Sequence, residues 1–269
     1  MKTIVQSAML LVLALGLNSA TAQDWAKKRL TDSPRHGEWV QIKHGDRTVD
    51  AFVVYPEISE KATAVVVIHE IFGLSDWVRG VADQLAEKGY IAIAPDLLSQ
   101  MGKDAGNTSS FTGDDVRAAI IKLPADQITA DLNATVDYVT KLPAANGKFV
   151  VTGFCWGGGQ TFRFATNNAH ALAVFPFYGT GPTEAADIAR IKCPVYGFYA
   201  ENDARVNATI DQSKELMKKA DKVYEPVSYA GAGHGFMRAG EAPDASAANK
   251  KAREDGWARL LELIKKHEK

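Results

Sequence analysis

The strongest constraint on the fold is a series of short, continuous apolar runs with almost no polar residue inside them. Their positions in the chain are 64–68, 90–94, 149–151, 171–175 and 195–199. Runs of this length and type are expected of parallel strands that are covered on both faces. A further strand is predicted over 224–229.

The stretches between these runs have the spacing of amphipathic helices. Helical patterns cover 76–88, 128–142, 158–167 and 210–220, and a long final helix is predicted over about 247–266. Ahead of the first run, segments 38–43 and 48–55 alternate apolar and polar residues, as a half-buried antiparallel pair does. This order predicts an α/β fold with a mostly parallel central sheet and helices on both faces.

Composition and charge narrow the class of partner. The 269 residues are 46% hydrophobic, and 31 Lys and Arg nearly balance 32 Asp and Glu to give a formal net charge of −1. That apolar content excludes a disordered chain. A near-neutral chain also has no electrostatic reason to bind nucleic acid or an anionic membrane. We therefore expect a small-molecule substrate and no nucleic-acid partner.

Residues 1–22 have the layout of a secretory signal peptide. Lys2 supplies a short positive region, 9–17 form an apolar core, and Ala20-Thr21-Ala22 is an A-x-A cleavage site. The alternative is a membrane anchor, but the apolar run 8–17 is shorter than the roughly 20 residues that span a bilayer. The sequence thus predicts a periplasmic or secreted protein whose single domain occupies 23–269, with no membrane partner after signal cleavage.

A tight turn after the run 149–151 carries the clearest chemical motif. It reads Gly153-Phe154-Cys155-Trp156-Gly157-Gly158 and leads into a helical pattern. A strand, a tight turn and a helix with glycines flanking a nucleophile form a nucleophile elbow, here in a G-x-C-x-G version. The glycines let strand and helix approach closely while the nucleophile holds a strained backbone. The alternative is that Cys155 is a small buried hydrophobe beside a glycine-rich turn.

An acid and a histidine follow the next strands. Asp203 comes after the run 195–199, and His234 comes after the predicted strand 224–229. Each of them alone is an ordinary turn or loop residue. Nucleophile, acid, histidine is, however, the chain order of α/β-hydrolase triads, with each member at the carboxyl end of its own strand. The sequence therefore predicts that His234 is the base of Cys155 and that Asp203 orients and stabilises its imidazolium.

The loop after the run 64–68 completes the predicted site. It begins His69-Glu70-Ile71, and in hydrolases of this type its backbone forms an oxyanion hole together with the residue after the nucleophile. The expected donors are the amides of Ile71 and Trp156. Glu70 would lie beside the cleft, where it could pair with the thiol or take its proton. The alternative is a solvated carboxylate at the end of a strand.

The sequence predicts no metal and no cofactor. The H-E-x-x-H motif of zinc proteases fails at Gly73, and the glycine-rich segment 231–236 ends in Phe236 where a dinucleotide loop needs its last glycine. Two cysteines without a C-x-x-C motif give little support to a thiol redox protein. Because Cys155 follows one parallel strand and Cys193 precedes another, we expect both thiols to stay unpaired.

Two further features of the chain indicate contacts with substrate. The long irregular stretch 99–113 predicts a substrate-facing loop. Aromatic residues near the triad could wall a pocket, although aromatics are more often core. These residues are Phe72, Phe111, Trp156, Tyr178 and Phe236.

The motifs resemble those of the dienelactone hydrolase (carboxymethylenebutenolidase) family. The resemblance extends from roughly Val40 to the C-terminal helix and is carried by 69–73, 153–158 and 233–236. It implies a monomeric α/β-hydrolase and a role for Glu70 in generating the thiolate when substrate arrives. It also implies that Arg238 holds the substrate carboxylate, for which the alternative is a surface ion pair.

One position departs from the family pattern. The family's second substrate arginine follows a Pro-Asp-Leu segment, whereas here 95–99 leads to Gln100. Gln100 offers hydrogen bonds without charge at this substrate-binding position, and Lys103 is the alternative source of charge. This difference affects whether the family's dienelactone is the substrate more than it affects the type of reaction.

The sequence thus predicts an exported hydrolase that cleaves ester or lactone bonds through a thioester on Cys155. A thiol nucleophile favours activated esters and enol lactones over peptides, because a thiolate is itself readily expelled from the tetrahedral intermediate. The alternatives are a broad esterase or peptidase of the same fold, and a non-catalytic relative that binds a small molecule or another protein.

Overall fold

The computed structural model describes residues 24–268. The predicted signal peptide, residues 1–22, lies outside this range. Among the residues described, no helix combines the length and the apolar character needed to cross a bilayer.

The described part of the chain is built around an eight-stranded, mostly parallel sheet, as the apolar runs predict. In chain order the strands are β1 (Gly37–His44), β2 (Arg47–Val54), β3 (Ala62–Ile68), β4 (Ile91–Pro95), β5 (Ala145–Phe154), β6 (Val174–Phe177), β7 (Val195–Asn202) and β8 (Tyr224–Gly233). Their spatial order is β1-β2-β4-β3-β5-β6-β7-β8. β2 pairs antiparallel with both β1 and β4, and every pair from β4 to β8 is parallel.

Ten α-helices accompany the sheet within residues 24–268. They are α1 (Asp24–Asp32), α2 (Asp76–Glu87), α3 (Asp115–Ile121), α4 (Ala125–Thr140), α5 (Trp156–Ala165), α6 (Ala185–Ala189), α7 (Ala204–Asn207), α8 (Ile210–Lys219), α9 (Phe236–Ala239) and α10 (Ala247–His267). The predicted helices correspond to α2, α4, α5, α8 and α10. The other five have at most nine residues, too few turns for a periodic pattern to stand out.

Helices cover both faces of the sheet. Every residue of β3 is buried, and successive side chains belong to different apolar clusters. Val65 packs in one cluster with Trp77 of α2 and Leu260 of α10, whereas Val66 packs in a second cluster with Leu132 of α4. Because neighbouring side chains of a strand point to opposite faces, the two clusters lie on the two sides of the sheet.

The strand predicted over 171–175 is displaced in the structure. β6 runs from Val174 to Phe177 and contains Pro176. Proline cannot donate to the hydrogen-bond ladder and is uncommon in central strands, so the apolar pattern points to a strand that ends at Phe175. The shift matters for the site, because Tyr178 follows directly on β6.

The long connection 99–113 is held against the sheet. It contains two short 3-10 turns, Lys103–Ala105 and Thr108–Ser110. The buried carboxylate of Asp96, just after β4, accepts hydrogen bonds from the backbone N–H and the hydroxyl of Thr108 at 3.0 and 2.7 Å. Charge-assisted hydrogen bonds of this kind are strong, so they fix the loop beside β4.

Candidate active site

Cys155 occupies the turn between β5 and α5 with a positive φ (φ 57°, ψ −117°). Such a conformation is strained in a non-glycine residue and persists only where the surroundings determine it. The surroundings here are tightly packed. A Cβ on Gly157 would lie 2.3 Å from the carbonyl oxygen of His69, and one on Gly153 would lie 2.4 Å from that of Gly157. Only glycine lets α5 approach β3 and β5 so closely.

The three side chains predicted as a triad form one hydrogen-bonded series. His234 Nε2 lies 3.1 Å from Cys155 Sγ, and His234 Nδ1 lies 2.5 Å from Asp203 Oδ2. Cys155 follows β5, Asp203 follows β7 and His234 follows β8, so parallel pairing brings all three to one edge of the sheet. Asp203 Oδ1 also accepts from the backbone N–H of Val206 at 3.3 Å, which orients the carboxylate.

The contacts of His234 favour the protonated form of its ring. Its hydrogen bond with Cys155 raises the pKa of His234 to about 9; burial opposes this rise, and the hydrogen bond with Asp203 adds to it. These contacts favour a proton on the ring nitrogen beside the sulfur. An imidazolium in this position stabilises a thiolate, which is the reactive form of a cysteine.

The two amides predicted as an oxyanion hole both border the cleft that contains Cys155. Trp156 is the first residue of α5, Ile71 lies in the loop after β3, and both line this cleft. Neither N–H donates to another backbone group of the described chain. The indole of Trp156 stacks on the ring of His69 at 5.5 Å, which holds the two segments together. The amides are therefore available to an oxygen atom bound in the cleft.

Glu70 pairs with Arg238 rather than with the thiol. Its Oε2 accepts a hydrogen bond from Arg238 Nε at 2.9 Å. Burial raises the pKa of Glu70, and the positive charges of Arg238 and His234 oppose that rise. The side chain of Glu70 is 2% exposed and that of Arg238 is 29% exposed. The carboxylate is thus enclosed, while the guanidinium is open to the cleft.

Tyr178 brings an unpaired hydroxyl to the site. The residue is fully buried, has a φ of 37°, and packs edge-on against the ring of His234 at 5.1 Å. Among the residues described, its hydroxyl has no hydrogen-bond partner. Burial raises the pKa of Tyr178 well above its ordinary value, and the charges of Glu70 and Cys155 add to the effect. The phenol therefore remains protonated.

These groups border a cleft of about 760 Å³, which is within the size range of small-molecule sites. Tyr178 and Arg238 line it, as predicted, and Phe72 lines it as well. The guanidinium of Arg238 lies over the ring of Phe72, 5.3 Å from its centroid.

Two residues predicted to bind substrate lie elsewhere. Phe236 is fully buried and packs edge-on against Tyr178 at 5.2 Å, so it belongs to the core behind the site. Gln100 has an exposed side chain whose oxygen accepts from the N–H of Thr48 at 2.9 Å. That hydrogen bond holds it beside β2, outside the cleft lining. Lys103, the alternative to Gln100, does not line the cleft either.

The prediction of a substrate-facing loop over 99–113 is wrong for this cleft, since none of its residues lines it. Phe111, in the same loop, packs against the core cluster that contains α4. The physical reason is the anchoring to Asp96 beside β4, which lies on the far side of β3 from the nucleophile turn.

Sequence reasoning also missed part of the lining. These residues are Arg117, Gln160, Arg163, Thr180, Thr183, Glu184, Asp187 and Arg205. Most of them come from short helices and connections without a recognisable motif. Arg205 alone carried a signal, because it follows the end of a strand and stands two residues after Asp203.

The fold and the site together define an α/β-hydrolase: a mostly parallel sheet with a cysteine turn, an acid and a histidine after β5, β7 and β8. The model of the dienelactone hydrolase family matches residues 49–268. The "Putative carboxymethylenebutenolidase" of Methylorubrum extorquens is 31% identical over 241 residues, which cover 85% of this chain and 80% of that protein. The chain therefore belongs to the dienelactone hydrolase family, as its motifs predict, and is a hydrolase of that family.

Solved structures agree with this assignment. The "Putative Dienelactone Hydrolase" from Klebsiella pneumoniae has a TM-score of 0.74 at 25% identity, covering 85% of this chain and 97% of that one. Acylaminoacyl peptidase from Pyrococcus horikoshii has a TM-score of 0.64 at 15% identity, covering 87% of this chain and 42% of that one. The similarity to acylaminoacyl peptidase shows a shared fold and nothing more.

Proposed function

We propose that the protein hydrolyses carboxylic esters or lactones with Cys155 as the nucleophile. The observation that carries the proposal is the hydrogen-bonded series from Cys155 through His234 to Asp203, which opens into a cleft sized for a small molecule. The pKa of His234, raised mainly by its hydrogen bond with Cys155, supports His234 as the group that holds the proton while the sulfur reacts.

Acylation begins when the Cys155 thiolate attacks the carbonyl carbon of the substrate. A C–S bond forms, and the carbonyl oxygen becomes an oxyanion that accepts hydrogen bonds from the amides of Ile71 and Trp156. Each such donor is worth about 3 kcal/mol in the transition state. The tetrahedral intermediate then expels the alcohol or enol oxygen, which takes the proton of the His234 imidazolium. The products of this half-reaction are a thioester and a neutral imidazole.

In deacylation the proton transfer runs the other way, towards His234. Neutral His234 accepts a proton from water while the water oxygen attacks the thioester carbonyl. Collapse of the second intermediate breaks the C–S bond and releases the acid. Cys155 is again a thiolate and His234 again an imidazolium, held by Asp203, so the cycle closes without a further reactant.

Glu70 and Arg238 have coupled roles in this proposal. The family resemblance assigns the substrate carboxylate to Arg238 and activation of the thiol to Glu70. Binding of a carboxylate to Arg238 would compete with the Glu70 hydrogen bond, and a buried carboxylate without its partner gains affinity for a proton. Glu70 is then a second acceptor for the proton that His234 holds, and His234 has the direct hydrogen bond to the sulfur.

We also propose that the enzyme acts as a monomer outside the cytoplasm, after removal of residues 1–22. The layout of the signal sequence supports export, and the family resemblance supports a single subunit. Neither property enters the chemical steps, because the triad and both oxyanion amides come from one chain.

The substitution Cys155→Ala tests the nucleophile. We expect turnover of aryl esters and enol lactones to fall by about 10⁴-fold or more, as it does when other enzymes lose their nucleophile. Cys155→Ser should retain little activity, because a hydroxyl is far less acidic than a thiol. Acid-quenched wild-type enzyme should carry the acyl mass on the peptide that contains Cys155.

Cys193→Ala is the matched control, since Cys193 is buried and precedes β7, at the opposite end of the sheet from the cleft. It should keep wild-type activity. Iodoacetamide should label Cys155 in the folded enzyme and spare Cys193, whose pKa burial raises to about 11. Wild-type turnover by Cys155→Ala would refute the proposal, and a folded enzyme with an unreactive Cys155 would favour a non-catalytic binding protein.

A further inference from the structure

One cation of the cleft has no partner among residues 24–268. Arg205 lies in α7, is exposed, and lines the same cleft as Cys155 and His234. No ion pair or side-chain hydrogen bond within residues 24–268 involves it. An unpaired guanidinium facing a small-molecule cleft is available to an anion, and its planar donor geometry matches a carboxylate.

The other cleft arginines are engaged to different degrees. Arg238 donates to the buried Glu70. Arg163 is fixed by hydrogen bonds from Nε to Gln160 and from a terminal nitrogen to the carbonyl of Ala125, both at 2.8 Å. Arg117 lies 3.7 Å from Asp114 in a pair that is exposed on both sides. Exposed pairs of this kind hold their partners weakly.

The cleft acids do not cancel the charge of Arg205. Glu70 is neutralised by Arg238, and Asp187 is bonded to Arg190 at 2.8 Å. Glu184, an exposed residue, accepts only from the hydroxyl of Thr183 at 3.3 Å. An anion that enters the cleft therefore meets an unbalanced positive charge at Arg205.

The backbone of Arg205 is held at a defined distance from Cys155 and His234. Asp203, two residues earlier, is tied both to His234 and to the N–H of Val206, so the turn that carries Arg205 is fixed to the triad. α7 follows β7, while Cys155 follows β5, and β6 lies between them. Two strand spacings separate these positions by about 10 Å. An arginine side chain spans part of that distance and leaves room for a short acyl chain.

We infer that Arg205 is a second specificity-determining residue of the cleft, which binds a carboxylate farther from the scissile carbonyl than the one assigned to Arg238. This inference rests on the proposed ester hydrolysis at Cys155. It adds a second anion-binding position to the cleft, opposite the Glu70–Arg238 pair. Glu70 follows β3, three strands away from β7, so the two positions select different substrate lengths.

A matched pair of substrates tests the inference. Mono(4-nitrophenyl) adipate carries a free carboxylate, and its methyl ester differs only in lacking that charge. Wild-type enzyme should prefer the acid. In Arg205→Ala, the ratio of kcat/KM for the acid to that for the methyl ester should fall by about ten- to hundredfold, the usual effect of losing a hydrogen bond to a charged group.

Three further variants make the test specific. Arg205→Gln should reproduce the loss with a side chain of similar length, and Arg205→Lys should give an intermediate ratio, because charge without the planar fork is retained. Arg117→Ala removes another exposed arginine of the same cleft and should change the ratio much less. An equal change in Arg117→Ala would mean that a diffuse positive field, and not Arg205, selects the acid.

The outcomes also separate this inference from the proposed function. If the ratio stays constant in Arg205→Ala while Cys155→Ala abolishes hydrolysis, Arg205 does not bind the substrate and the hydrolase assignment stands. Equal losses on both substrates would show damage to Asp203 and His234 and would likewise overturn the role of Arg205. Hydrolysis of the methyl ester by Cys155→Ala would overturn the proposed function itself.

Discussion

The charge on His234 depends on the residue that it activates. The hydrogen bond with Cys155 makes the largest contribution to the raised pKa of about 9. In Cys155→Ala we therefore expect the pKa of His234 to fall towards its ordinary value, as measured by NMR titration of the labelled imidazole. Asp203→Asn should lower the pKa by a smaller amount. If the pKa of His234 falls further in Asp203→Asn than in Cys155→Ala, Asp203 and not Cys155 makes the larger contribution to the raised pKa.

The raised pKa of His234 also makes the stability of the fold depend on pH. Because the pKa rises from 6.5 to about 9 on folding, the folded state holds the proton more tightly than the unfolded state does. The resulting stabilisation is complete below about pH 6.5 and is lost as the pH rises through 9. The difference in free energy of unfolding between wild type and Cys155→Ala should shrink across this window in urea titrations.

At the scale of elements, the position of the nucleophile depends on how closely α5 packs against β3. A Cβ on Gly157 would lie 2.3 Å from the carbonyl oxygen of His69 and 2.5 Å from that of Ile68. Both atoms are backbone and cannot rotate away. We therefore expect Gly157→Ala to lower the free energy of unfolding by about 1–3 kcal/mol or more, and to reduce activity by moving Cys155.

Gly159→Ala is the control in the same helix. Its nearest contact would be the carbonyl oxygen of Thr180 at 3.5 Å, an ordinary van der Waals distance. Alanine is also the better helix former, so stability should hold or rise by up to about 1 kcal/mol. Urea denaturation of both variants decides the matter, and equal stability would show that the close approach of α5 to β3 is not required.

At the scale of the whole molecule, we expect the mature protein to begin at Gln23, immediately before α1. Expression in a secretion-competent bacterium followed by N-terminal sequencing of the periplasmic fraction tests this. Ala22→Arg should block cleavage, because signal peptidase sites require small residues. Recovery of wild-type protein from the cytoplasm with residues 1–22 intact would contradict export.

The mostly parallel sheet and the places of Cys155, Asp203 and His234 at strand ends could be predicted from the sequence, because both depend on local properties. The spatial order of the strands came only from the tertiary structure. Apolar runs mark buried strands, and parallel pairing carries whatever follows β5, β7 and β8 to the same edge. Cys155, Asp203 and His234 therefore lie at one edge, and the spatial order β5-β6-β7-β8 brings their side chains into contact. The flanking glycines likewise predict the tight turn at Cys155, because a side chain larger than hydrogen does not fit at Gly153 or Gly157.

The remaining features depend on where a side chain points once distant elements have packed. Glu70 turns to Arg238, 168 residues along the chain, and Gln100 turns to Thr48, away from the cleft. Phe236 faces the core, whereas Arg205 lines the cleft. Orientation of this kind follows from contacts between elements that are far apart in sequence, and no local pattern encodes it. The sequence by itself thus predicted the sheet and the three residues of the proposed triad, and only the tertiary structure decided which charges are left free to meet a ligand.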